Sequence, residues 1–179
     1  DGLGIGGSFS WQTDSNTVTA KVENSEIKNA ANAVIDAGTS GKDINVAGQV
    51  SAGQKAVGLA GAYNRLENTT QALSTNTNFS GDTARTLSMG AHNEGRVYAV
   101  TAGVSLSREG AANGAVAINS GADNIKAEMS GGKVDNAAGV SVTSSDNTKK
   151  LAVAGGFTAS MGAAVGGAVA YNAIGDTAR

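Results

Sequence analysis

Ala163-Ala164-Val165-Gly166-Gly167-Ala168-Val169-Ala170-Tyr171-Asn172-Ala173-Ile174 is built from small residues, valine and a single aromatic. Ala56-Val57-Gly58-Leu59-Ala60-Gly61-Ala62-Tyr63-Asn64 and Ala111-Ala112-Asn113-Gly114-Ala115-Val116-Ala117-Ile118-Asn119 are close copies of it. The aromatic or isoleucine before the amide residue marks the copies at Trp11, Tyr63, Ile118 and Tyr171, spaced 52, 55 and 53 residues apart. The amide positions that follow are Gln12, Asn64, Asn119 and Asn172. Self-similarity at such a period is the signature of a repeat architecture.

The pattern continues on both sides of the marker. Downstream stand Asn16-Thr17, Asn68-Thr69, Asn124-Ile125 and Asp176-Thr177, then Val22, Leu73 and Met129, then Ile27, Phe79 and Val134. Upstream lie strand-like pieces at 44–50, 97–104 and 151–157. Residues 97–119 match 150–172 at a constant offset of 53 without a gap. The pentapeptide Gly81-Asp82-Thr83-Ala84-Arg85 recurs at 175–179, 94 residues on, and that distance does not fit the period. The approximate units are 1–43 (partial), 44–96, 97–150 and 151–179 (partial), which reads as a slice from a longer array.

Alternation in Thr17-Val18-Thr19-Ala20-Lys21-Val22 and Val140-Ser141-Val142-Thr143 argues for strands. Gly, Asn, Asp and Ser punctuate the segments, as in Ser144-Ser145-Asp146-Asn147. The glycines embedded in the alanine-rich pieces cost a helix about 1 kcal/mol each. Units too thin to bury a face alone predict an all-β chain, a β-solenoid or parallel β-helix with repeats of about 53 residues. Two or three coils per unit at about 4.8 Å spacing would give about 7 to 10 coils, a rod about 35 to 50 Å long. Local antiparallel hairpins, such as one around Ser160-Met161-Gly162, are a variant of the same expectation.

Composition fits a narrow interior. There are 26 Gly, no Pro, and 4% aromatics among 179 residues, so Ala, Gly and Val supply most of the apolar content. Charged residues make up 16%, the net charge is −2, and Lys and Arg are scattered along the chain. That balance gives no reason to expect nucleic acid or an anionic membrane. The absence of Cys excludes disulfides and thiolate metal sites. The sequence opens without the pattern of a signal peptide. Nothing in it resembles a membrane-spanning helix.

The run Ala164-Val165-Gly166-Gly167-Ala168-Val169-Ala170-Tyr171-Asn172, with Ile174 and Asp176-Thr177 after it and Val153-Ala154-Gly155-Gly156 before it, resembles a known class of repeats. These are the repeat regions of very large bacterial surface exoproteins, the filamentous-haemagglutinin-like and leukotoxin-like adhesins exported by type V pathways. The resemblance covers nearly the whole chain. The third copy departs from it, with Asn113 and Ile118 where the fourth has Gly166 and Tyr171. It implies an elongated β-helical passenger or stalk at the cell surface or outside a Gram-negative cell. The partners it implies are host or bacterial cell-surface molecules. It carries over no binding residue.

Catalytic and cofactor chemistry find little support. His92, the one histidine, reads as a solvated loop residue in Ala91-His92-Asn93-Glu94-Gly95, because a metal site needs several ligands. Residues 2–7 match G-x-G-x-x-G, but Ser8-Phe9-Ser10-Trp11 reads as strand where a dinucleotide site needs a helix. The carboxylates are spread singly, and no pair stands at one place in successive units. Gly131-Gly132-Lys133-Val134-Asp135 is a broken imitation of a calcium-roll repeat. Asn64, Asn119 and Asn172 read as an asparagine ladder at a coil corner. Trp11, Tyr63, Ile118 and Tyr171 read as structural repeat positions.

The expected function is therefore a non-enzymatic structural or adhesive segment with no cofactor. Lateral or end-to-end self-association follows from open solenoid ends. The rivals are a transmembrane β-barrel, which needs aromatic girdles and a lipid-facing apolar band, and a β-helical enzyme acting on polysaccharide, which needs clustered carboxylates.

Overall fold

The computed structural model describes residues 2–179. Its elements are β1 (Leu3–Glu23), β2 (Glu26–Lys28), β3 (Asn32–Ser80), β4 (Arg85–Gly121), β5 (Asn124–Val134), β6 (Ala137–Ser160), β7 (Ala163–Asn172) and β8 (Thr177–Ala178). Every strand pairing among the described residues is parallel, and no helix occurs there. The chain is an all-β solenoid.

The register sets the size of a coil. Trp11 pairs with Tyr63, Tyr63 with Ile118, and Ile118 with Tyr171. Each residue thus stacks on its own counterpart one repeat later, so one repeat is one coil. The expectation of two or three coils per unit is corrected, and the stack is four rungs high at most, on the order of 15 Å between its outermost rungs. A coil is long because it is flattened. In one coil, residues 32–53 form a first leg, Gly53, Gln54 and Lys55 form the tip, and 55–80 return as a second leg. The legs face each other across the interior: Asn45 Nδ2 donates to Tyr63 O at 2.9 Å, and Thr39 and Thr70 hydroxyls meet at 2.8 Å. Ser160-Met161-Gly162 is such a tip. β6 and β7 do not pair as a hairpin; each stacks on β4.

Alternation is strict along both legs. Residues 45, 47, 49 and 51 are buried while 44, 46, 48 and 50 are exposed, and even positions from 56 to 74 point inward on the return leg. The inward phase then shifts to Thr77 and Phe79. The shift coincides with Asn76 at φ 48°, stacked between Asn24 at φ 49° and Gly131 at φ 68°. Left-handed backbone favours Asn and Gly, and here it turns the chain at the same place in each rung. A second such column, Asn29, Gly81 and Asn136, closes the coil, where Asn29 N donates to Ser80 O at 2.9 Å and Asn136 Nδ2 to Gly81 O at 2.8 Å. Gly81 lies in this bend while Thr177 and Ala178 form β8, so the two identical pentapeptides occupy different places.

The interior has two parts. Away from the tip, Ile35, Leu87, Met89, Phe79 and Ile125 form an apolar core. Towards the tip, the core is Ala47, Ala62, Ala99 and Ala117. There the backbones are close enough that a Cβ on Gly4 would collide with Ala52 O, which excludes larger side chains.

Candidate functional site

The amide positions form a ladder. Asn64 Nδ2 donates to Asn119 Oδ1, and Asn119 Nδ2 to Asn172 Oδ1, both at 2.9 Å. Asn64 Nδ2 also lies 2.8 Å from Tyr98 O on the facing leg. The ladder therefore sits inside a straight leg and ties the two sheets together. Its placement at a coil corner is corrected: the corner asparagines are Asn24, Asn29, Asn76 and Asn136. Gln12 stands below Asn64 and donates instead to Asp43 Oδ1 at 3.3 Å. The markers stack too, but on the outside. Trp11 is 68% exposed and Tyr171 58%, and the Trp11 and Tyr63 rings lie 5.1 Å apart.

Two titratable groupings become visible only in the fold. The first is internal. Asp123 pairs in register with Asp176, and Asp146 faces them from the other leg; the three bring carboxylate oxygens within 4.8 Å of one another. Two carboxylates thus do stand at one place in successive rungs, which corrects the reading that they are spread singly. Matching Asn124 to Asp176 is one residue out: Asn124 pairs with Thr177, and Asp123 stands five residues after Ile118 as Asp176 stands five after Tyr171. Asp123 Oδ1 accepts from Asn68 N, Asp176 Oδ1 from Asp123 N, both at 2.9 Å. Lys150, with its side chain fully buried, places Nζ 3.3 Å from Asp176 Oδ1. Thr148 Oγ1 lies 2.8 Å from Asp146 Oδ1 and 3.2 Å from Asp123 Oδ2.

Burial pushes the Asp123 carboxyl above its ordinary value, and the Asp176 charge adds to this against the opposing Asn68 N–H, Lys150 and Thr148. Burial likewise raises Asp146, with Asp176 adding to it against the Thr148 hydrogen bonds. Three carboxylates and a hydroxyl are the oxygen donors a hard cation takes. Lys150 sets one ammonium against these carboxylates, at Asp176.

The second grouping is external. Lys42 pairs in register with Arg96, and Arg96 with Lys149. All three are exposed, and none makes an ion pair among the described residues. Lys42 Nζ lies 5.8 Å from the Tyr98 ring centre. Three of the thirteen basic residues that look scattered along the chain are thus collected into one column. The signal was present in their spacing, which equals the repeat. They line a shallow depression with Ser40, Glu94 and Asn147.

His92 lies within β4, where its Nδ1 is 3.6 Å from Asp36 Oδ1; its reading as a loop residue is corrected. Gly2 to Gly7 lead into and lie along β1, with no helix after them. Comparison with protein-family models, with curated proteins and with solved structures finds no match.

Proposed function

We propose that the chain is a non-enzymatic structural and adhesive segment, a stalk or passenger of a bacterial cell-surface or secreted adhesin. The observation that carries this reading is where the repeated residues are used. The residues at the amide positions bond to the rungs above and below and to the facing leg, so the repeat is spent on holding the stack together. The resemblance of 153–156 and 164–177 to adhesin repeats supplies the context. Side walls of such a stack offer a long surface to host or bacterial cell-surface molecules, and its open end rungs offer edges for end-to-end association. Parallel pairing throughout weighs against a transmembrane barrel, whose strands are antiparallel. Burial of Asp123 inside the coil weighs against a polysaccharide-cleaving site, which needs carboxylates open to substrate.

The test is binding of the fluorescently labelled chain to intact bacterial and host cells. Saturable binding that unlabelled chain displaces is the expected result. Turnover of pectin-like or chitin-like polymers by the purified chain would overturn the reading.

A further inference from the structure

The outer surface of the tip half of every rung is apolar on both broad faces. On the first leg the outward columns are Ile44–Tyr98–Leu151, Val46–Val100–Val153 and Val50–Val104–Phe157. On the return leg they include Ile5–Val57–Ala112–Val165, Phe9–Gly61–Val116–Val169 and Trp11–Tyr63–Ile118–Tyr171. No charged residue occurs in 44–53, 56–64, 97–107, 110–119, 151–160 or 163–172. Soluble monomers rarely expose a contiguous apolar surface of this kind without a partner.

Three observations say what covers it. First, the band has two opposite faces, so one protein partner docked on a single face leaves the other bare, whereas a fluid apolar medium covers both. Second, the band approaches the depth of a bilayer: the eight steps from residue 44 to 52 rise about 3.3 Å each, about 26 Å in all, against about 30 Å for the hydrocarbon core. Third, its upper boundary is composed like a membrane interface. The only Trp and all three Tyr lie in one belt, Trp11, Tyr63 and Tyr171 on one face and Tyr98 on the other. Just beyond that belt, on the first leg, stands the unpaired column Lys42–Arg96–Lys149. Trp and Tyr favour the headgroup level, and cations there meet anionic phosphates.

We propose that the tip half of the stack inserts as a wedge into a lipid bilayer with anionic headgroups, with the aromatic belt at the interface and Lys42, Arg96 and Lys149 on the phosphates. The polar tips, with Lys55, Arg108 and Glu109, lead the insertion. Hydrocarbon cannot satisfy unpaired backbone groups, so within the bilayer each rung pairs with a neighbouring rung. The inference goes beyond the adhesin reading and does not depend on it.

Phosphatidylcholine vesicles with and without phosphatidylglycerol test it, using Trp11 emission and co-sedimentation of the intact chain. The expected result is a blue-shifted Trp11, quenched by brominated acyl chains, with binding that strengthens with phosphatidylglycerol and weakens with salt. Replacing Lys42, Arg96 and Lys149 together by Gln should weaken binding to anionic vesicles by about tenfold or more. Val100→Ser combined with Val116→Ser should weaken it on both vesicle types, with circular dichroism unchanged. Unshifted Trp11 emission with anionic vesicles overturns the proposal. So does retention on heparin without vesicle binding, which would assign the basic column to a polyanion. A discrete dimer in solution that ignores vesicles also overturns it, and would assign the apolar faces to a second copy. Displaceable cell binding without vesicle binding overturns this proposal and leaves the adhesin reading standing, and vesicle binding without displaceable cell binding does the reverse.

Discussion

In residues 32–43 and 65–85 most large apolar side chains turn inward: Ile35, Leu66 and Phe79 are buried, while Asp36, Lys42 and Arg65 face solvent. Between residues 44 and 64 the large apolar side chains turn outward, over an interior of alanine and polar residues. Asn45, Gln49, Ser51 and Asn64 are buried, while Ile44, Val46, Val50 and Leu59 are exposed. One strand alternation runs through both halves, so alternation alone does not say which face is the inside. The difference teaches that folding free energy and surface chemistry are located in different places. Apolar burial holds the closed half together. In the tip half, rung pairing and inward hydrogen bonds do so, and its large apolar side chains are left for an external environment.

Truncation of a large core residue breaks this comparison most severely. Phe79 is 1% exposed and packs in the apolar core. Phe79→Ala should cost about 3 to 5 kcal/mol in denaturant unfolding. Val100→Ala, on the outer face of the tip half, should fall within about 0.5 kcal/mol of the parent. Equal losses at the two positions would show that the tip half's outer face is packed and not free.

Enlarging the tip interior is the converse change. Ala99 is fully buried, beside Ala47 and Ala117. Ala99→Leu should destabilise by about 1 to 3 kcal/mol, because the facing leg has no room to retreat without breaking rung pairing. A stabilised variant would mean that the legs stand further apart than the side-chain contacts indicate.

Much of this is legible in the amino-acid sequence. The repeat fixes the stacking register from residue 97 to 119 to the residue, and the period-2 runs identify the strands. Two things were not legible. Coil length could not be read from the repeat length, because a flattened coil with one tip and a round coil of half the length share the same period. Polarity inside and outside could not be assigned either. A run such as Val97-Tyr98-Ala99-Val100-Thr101 alternates small with large, and the usual preference places the large residues inside. Here the closeness of the legs selects Ala99 and Thr101 for the interior and turns Tyr98 and Val100 out. Asp123 is not legible because the amide Asn124 beside it takes its place in a match by residue type, although the offset of 53 from Ile118–Tyr171 carries on to Asn124–Thr177.

The ladder sharpens the comparison at smaller cost. Asn119 is fully buried and bonds to Asn64 and Asn172. Asn119→Ala leaves the Asn64 side-chain donor short of one partner inside the coil, and about 2 kcal/mol of destabilisation should follow. Asn119→Gln, which keeps the amide but lengthens the arm, should recover little, because the facing backbone at Val97 limits its reach. Full rescue by Gln would show that the amide alone matters and that the interior is roomier than the alanine core implies.

The smallest effect has a defined sign with pH. Asp123 is 1% exposed, in the column that runs Asn16, Asn68, Asp123, Asp176. Its folded pKa is raised above the ordinary 3.8, chiefly by burial. The folded chain therefore keeps a proton that the unfolded chain releases. Stability is greatest below the ordinary value, falls as pH rises from there through the raised folded value, and is level above it. Asp123→Asn removes the titration while keeping an oxygen for Asn68 N–H and adding a donor towards the neighbouring carboxylates. The variant should match the parent in acid and exceed it by about 1 kcal/mol at neutral pH, since an amide is cheaper to bury than a charge. Unfolding midpoints measured across that pH range decide the point. A variant less stable than the parent at neutral pH would mean that the Asp123 charge is needed by Lys150, and that this part of the rung is held by an ion network and not by the amide column that continues beneath it.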